Sequence, residues 1–310
     1  MDIALFVSIL TVTIEAGASL LYATLGEVFT ERSGVLNLGL EGMMMMGAAS
    51  GFIAAKSSGD PWVGVAAALF VGGVLGLVHA FLTITLRTNQ VVTGLALTMF
   101  GTGLANFFGR SYVGQIGPKF VGTPLPVLGQ IPIVGEALFR QDVLVYALYI
   151  LVPVAWFYLF KTRPGLHLRA VGESPQTTDA LGVNVVGLRY LYTMLGGMLV
   201  GLGGAHLSLA YTPGWTEGMT AGRGWIAIAL VIFATWNPSR AVVGAILFGG
   251  INAVQFRMQT AGTNIPAAFL NMLPYIATII VLMLITWWEA FSKRVGAPAA
   301  LGLPYVREEK

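Results

Sequence analysis

The chain has 310 residues, 56% of them hydrophobic and only 10% charged, with a mean hydropathy of +0.77, a formal net charge of +3 and a pI near 9.2. Soluble domains carry roughly 25% charged residues, so this composition excludes a water-soluble globule and identifies an integral membrane protein. The absence of cysteine excludes disulfides and thiol chemistry, and His79, His167 and His206 stand too far apart in the chain to suggest a zinc or di-iron site.

The apolar runs are long and do not alternate with polar residues, which favours helices over a membrane β-barrel. A bilayer core needs about 20 apolar residues per helix. Nine helices are predicted, near 4–25, 35–55, 62–86, 90–109, 143–161, 190–211, 222–237, 240–258 and 267–289. The N-terminus lacks a basic start and a small-residue cleavage site, so its first apolar stretch is expected to be a retained helix. The expected architecture is all-α and polytopic, a single domain over 1–310.

Summing basic residues on alternate loops places eleven on one side (Arg32, Arg87, Lys161, Arg163, Arg169, Arg189, Arg240, Lys293, Arg294, Arg307 and Lys310) and six on the other. The richer side is the cytoplasmic one by the positive-inside rule, which leaves the N-terminus outside. The Pro- and Gly-rich loop 110–142 then faces outward, and loop 161–189 faces the cytoplasm. The basic excess is spread over loops, with no nucleic-acid patch. Residues 68–80 (ALFVGGVLGLVHA) echo 246–256 (ILFGGINAVQF) on helices of opposite direction, as an inverted-topology repeat predicts. Chance recurrence of small residues in a glycine-rich bundle is the plainer alternative.

Four segments exceed what spanning a bilayer requires. In Gly26–Gly47 (GEVFTERSGVLNLGLEGMMMMG), Asn37 and Glu41 share one face if the segment is helical, and an intramembrane carboxylate is a functional candidate unless it merely bonds backbone at a glycine break. Glu15 has the same status with less context. The loop Lys161–Arg189 has Gly172, Glu173, Ser174 and Pro175 leading into one or two helical turns over 176–181. Its Leu166, Leu168, Val171, Leu181 and Val183 are too apolar for a solvated linker and suggest docking on a partner. In Gly218–Trp225, Arg223 reads as a snorkelling anchor or, more sharply, as a gate or solute contact beside Trp225. Finally, Asn89, Gln90 and Asn106 are polar positions in apolar helices, and Asn252, Gln255 and Gln259 fall on one helical face. Such amides line a path or tie helices together. They suit a neutral, hydrogen-bonding solute better than an ion.

The stretches 26–48 (GEVFTERSGVLNLGLEGMMMMGA), 168–183 (LRAVGESPQTTDALGV) and 221–238 (AGRGWIAIALVIFATWNP) resemble the inner-membrane permease subunits of bacterial ABC importers. The resemblance covers nearly the whole chain. It is strongest to the group related to branched-chain amino acid and ribose permeases, and within it to those paired with basic-membrane-protein-type binding lipoproteins for nucleosides or simple sugars. It implies that Arg169, Gly172, Glu173, Ser174, Pro175 and Leu181 belong to a coupling helix docked on an ATPase. It also implies an extracytoplasmic solute-binding protein and a second, similar permease subunit. The chain itself needs no cofactor, since ATP and Mg belong to the ATPase and no GxxxxGK[ST] motif is present here. Relatives are described with ten helices and both ends cytoplasmic. Nine are predicted here, so either a helix is absent or Gly34–Gly47 is a split element. A proton-driven secondary transporter using Glu15 or Glu41 and a membrane-embedded enzyme are the rival readings. No Ser/His, HExxH or paired-aspartate pattern supports the enzyme.

Overall fold

The computed structural model describes residues 3–260, 265–292 and 296–307, and every regular element among them is helical. The helices are α1 (Ile3–Arg32), α2 (Leu40–Ser58), α3 (Pro61–Ala80), α4 (Gln90–Gly109), a short α5 (Val134–Leu138), α6 (Val143–Lys161), α7 (Arg163–Glu173), α8 (Pro175–Ala180), α9 (Val185–His206), α10 (Arg223–Phe233), α11 (Pro238–Thr260) and α12 (Ala267–Ser292). Each of the nine predicted positions holds a helix. Lys293, Arg294 and Lys310, used to assign the two sides, lie outside the described residues.

Among the described residues six segments are long and apolar enough to cross a membrane: Leu5–Arg32, Pro61–Thr85, Gln90–Tyr112, Val143–Lys161, Val185–Tyr211 and Pro238–Thr260. Glu41, Lys56 and small polar residues dilute α2, and α10 has only 11 residues. Those two helices therefore fall outside this group for a structural reason. Both begin inside the bundle.

The largest departure from expectation is at the first of these. No breaker interrupts Glu27–Arg32, so α1 runs on to 30 residues, about 45 Å at 1.5 Å per residue. It stops before Gly34, which adopts a left-handed φ of +86°. Residues 33–39 then fold back along the bundle. The N–H of Asn37 reaches Glu27 Oε1 at 3.0 Å, and Thr98 Oγ1, well inside α4, donates to Leu38 O at 2.9 Å. Asn37 and Glu41 are thus not on one helix: Asn37 is in the loop and Glu41 in the first turn of α2.

Close helix approach positions the rest. Gly17 of α1 lies against Ala245 of α11 and Gly249 against Thr13, while Gly26 lies against Gly196 of α9 and Gly203 against Ser19. Both helices therefore run antiparallel to α1. On the far side of α9, Gly72 of α3 abuts Gly197 and Gly201, again antiparallel. A Cβ on Gly72 or Gly249 would strike backbone of the facing helix, so these contacts depend on small residues. The two glycines occupy matching places in the echoed sequences. Around these seams lie the buried core residues Leu25, Ala68, Leu148, Ala205 and Ala245.

Candidate functional site

The helices α2, of 19 residues, and α10, of 11, meet at their N-terminal ends. An α-helix leaves its first N–H groups without intrahelical partners, and its N-terminus attracts negative charge. Glu41 supplies that charge to α10 from the first turn of α2. Its Oε1 accepts from Thr220 Oγ1 at 2.5 Å and from Gly222 N at 2.9 Å, and its Oε2 accepts from Gly224 N at 2.7 Å. Gly222 takes a left-handed φ of +80° to open the helix, and a Cβ on Gly224 would collide with the backbone of Glu41. The glycines of the GRGW stretch thus let two backbones and one carboxylate share a small volume.

Arg223 lies between those glycines and points inward. It is only 7% exposed, with its guanidinium 5.4 Å from the Tyr211 ring centroid and its Nε without a hydrogen-bond partner. The plainer sequence reading, an outward-snorkelling anchor, is therefore corrected: the side chain is buried on Tyr211. Tyr275 of α12 closes the same loop by donating to Ala221 O at 2.9 Å.

The other predicted pathway residues separate into groups. Asn37 Oδ1 accepts from Gly39 N at 2.8 Å and shapes the approach to α2. Gln90 Oε1 accepts from Leu36 N at 2.7 Å, holding the re-entrant loop against α4. Asn89 caps α4 by accepting from Val92 N at 3.1 Å. Asn252 donates to Phe248 O within its own helix at 3.0 Å, and Gln255 is buried one turn further along α11. Asn106 Oδ1 is buried without a hydrogen-bond partner, and Trp225 is partly exposed on α10. Glu41, Arg223 and the 220–224 backbone form one constellation. Asn252 and Gln255 lie on α11, outside the hydrogen-bonded group at Glu41.

Sequence reasoning missed a second buried carboxylate tie. Glu31, one turn beyond Glu27, accepts from Trp236 Nε1 at 2.5 Å, and both carboxylates are buried. Arg32 Nε donates to Trp236 O at 3.3 Å beside it. The i, i+4 spacing of Glu27 and Glu31 in an apolar helix was the available signal. Pairing them with Trp236 required the fold. At the opposite end of the bundle, Asp142 caps α6, and its Oδ2 lies 3.4 Å from Nε2 of the buried His206.

The loop 161–189 is more structured than its sequence suggested. Thr162 caps α7 by accepting from Gly165 N at 3.2 Å, and α7 buries Leu168 and Val171 before Ser174 breaks it. Pro175 then opens α8. Arg169 lies over the Phe160 ring at 5.3 Å, and Ser174 Oγ donates to Thr177 Oγ1 at 2.7 Å. Glu173 Oε2 accepts from Ala299 N at 3.3 Å, and Gly172 packs directly on Arg32 O. Leu181 projects outward, 80% exposed.

Residues 8–287 match the family described as branched-chain amino acid transport system / permease component. The chain belongs to this permease family. It is 44% identical to TsgC13 of Haloferax volcanii, over 97% of this chain and 98% of the other, whose name provisionally assigns a glucose ABC transporter permease protein. It is 34% identical to the guanosine ABC transporter permease protein NupQ of Bacillus subtilis over the whole of both chains. It is 36% identical to the nucleoside ABC transporter permease protein NupC of Lactococcus lactis over 94% of each. The permease is accordingly a multi-pass transport component of the cytoplasmic membrane, as its apolar helices require.

Proposed function

We propose that this permease forms one half of the translocation path of an ATP-driven importer for a neutral, hydrogen-bonding solute, a nucleoside in the first instance. The observation that carries the reading is the junction at Glu41. Two helices begin there inside the bundle with their N-terminal dipoles opposed, an arrangement that transporters use for solute sites near the bilayer midplane. The carboxylate of Glu41 and the guanidinium of Arg223 balance one another, which disfavours an ion as cargo. Tyr211 and Trp225 add aromatic surface of the kind that accommodates a flat base.

The nine helices make nine crossings in this reading, with the N-terminus outside. The α1–α4 and α9–α12 groups form an inverted repeat, and the matching roles of Gly72 and Gly249 support this. The segment 33–39 is the split element that separates the count from ten. A separate ATPase docks on α7 and α8, a solute-binding protein on the outer loops around 110–142, and a second permease subunit completes the path. ATP and Mg act on the ATPase; this chain holds neither. A simple sugar is the second reading, favoured by the relative named for glucose.

The test is uptake of labelled nucleosides and sugars by cells with the intact transporter and by cells lacking only this chain. Nucleoside uptake that disappears with the chain, returns with it and stays absent with Glu173→Arg supports both the solute and the coupling. Loss of sugar uptake alone moves the solute to the second reading, and uptake without an ATPase overturns the importer.

A further inference from the structure

The described residues of the C-terminal segment return to the bundle and bind where α7 meets the re-entrant loop. Ala300 N donates to Gly172 O at 2.9 Å, and Gly302 N donates to Gly34 O at 3.2 Å. Arg189, at the start of α9 and 1% exposed, ties the re-entrant loop and the C-terminal segment to α9. Its Nε donates to Ser33 O at 3.1 Å and its Nη1 to Leu303 O at 3.2 Å. Among the described residues no carboxylate lies within ion-pair distance of it. Both of its hydrogen bonds go to backbone carbonyls and its Nη2 is buried without a partner, so the guanidinium is costly to bury, and removing it strands those carbonyls. Gly34 must be glycine on two counts: its φ is +86°, and a Cβ would stand 2.8 Å from Arg189 Nη2.

We propose that Arg189 is a positioning residue that, with the strap Pro298–Tyr305, forms the joint carrying motion of α7 and α8 to the Glu41 junction. This rests on the reading of α7 and α8 as the ATPase dock. The connection is short and made of backbone. Gly172 packs on Arg32 O, Gly302 bonds Gly34, and three residues beyond Gly34 the N–H of Asn37 is fixed on Glu27. Tyr305 anchors the far end of the strap against Val171 and Val185, and Arg307 Nε donates to Asp179 of α8 at 3.1 Å. The strap and the two coupling helices are therefore one body, and its contact with the re-entrant loop is concentrated at Arg189 and Gly34. A load on α8 has a direct route to α2.

The experiment uses the full permease complex with its ATPase in proteoliposomes. This chain has no native cysteine, so Glu217→Cys, on the exposed part of the 212–222 loop, gives a single maleimide reporter on it, read from this chain after the subunits are separated. In that background, ATP should change the labelling rate. Adding Arg189→Met should abolish the change while the ATPase still co-purifies and hydrolyses ATP, and Arg189→Lys should restore part of it. Gly302→Val, which strains the strap at a φ of +76° without touching the buried arginine, should lose the response in the same way, so a poorly folding Arg189→Met leaves the proposal testable. A full response in Arg189→Met or Gly302→Val overturns it, as does a wild-type complex that holds its ATPase but gives no response at Glu217→Cys. If the wild-type chain retains no ATPase, the docking reading itself fails, which is a distinct result.

Discussion

Glu41 of α2 accepts the N–H of Gly224 of α10 at 2.7 Å, across 183 residues of sequence. Two helix N-termini that face each other repel, and one carboxylate placed between them stabilises both. The same group fixes the loop that leads into α10 through Thr220 and Gly222. Nothing covalent joins α2 to α10 at this point, so the junction can open when the helices part.

Glu41→Gln keeps the shape but offers one acceptor oxygen to three donors, and its amide meets an N–H or O–H head-on. Each buried donor left without an acceptor costs about 1–3 kcal/mol. We expect uptake to fall strongly while the chain still inserts and binds its partners. Uptake rates set beside the amount of assembled complex check this; parallel loss of both would make Glu41 a purely structural carboxylate. Glu41→Ala should be worse on both measures.

The helix seams give a second expectation. Gly72→Val and Gly249→Val each place a branched side chain against backbone of the neighbouring helix, and overpacking of this kind costs about 1–3 kcal/mol or more. The two substitutions should lower thermal stability in detergent by similar amounts if the α3–α9 and α1–α11 seams are equivalent halves of a repeat. A tolerated change at one seam and a severe one at the other would count against equivalence.

Much of this arrangement was legible in the sequence. Apolar runs located the nine predicted helices, and the starts of α4 and α6 fell where expected, although Asn89 had read as a polar position in a helix rather than as the cap it is. The glycines around Glu41 and Arg223 were visible as irregularities, and each segment was a candidate by itself. Their partnership was not visible, because a helix whose first turn lies inside the bundle has the same composition as one that starts at the membrane surface. For that reason 35–55 read as one helix, although Gly34 and Gly39 bracket a loop. Likewise α7 was not foreseen: Pro164 and Gly165 occupy its first turn, where a helix tolerates proline. The strap near the C-terminus carried no pattern, since its bonds are made by backbone.

Where α1 ends, Trp236→Phe removes the indole N–H that Glu31 accepts and leaves a buried carboxylate short of a donor. A loss of about 1–3 kcal/mol is expected. Glu31→Gln retains an oxygen for that N–H and should be milder than Glu31→Leu, which strands the indole. Thermal melts of the three variants should rank Glu31→Gln as the most stable; a Leu variant equal to it would show that the bond contributes little.

The cap of α6 gives a dependence on pH. Asp142 lies just outside the span Val143–Lys161, and its Oδ1 accepts from Leu144 N at 2.8 Å and Val145 N at 3.3 Å. Burial pushes the carboxyl up, but the His206 ring and the two N–H groups outweigh it and hold the carboxyl below its ordinary value of 3.8. A carboxyl depressed on folding contributes stability that is fully present above its unfolded value and is lost as pH falls through the folded one. The cap should therefore be unaffected from neutral pH down to about 4 and weaken only below that. Amide hydrogen exchange at Leu144 and Val145 in detergent reads this directly. Protection in the wild-type chain should drop below pH 3.8, and Asp142→Asn, which keeps an acceptor oxygen, should show no such step. Asp142→Ala should lose about 1 kcal/mol of protection at every pH. A step that persists in Asp142→Asn would assign the titration to another group.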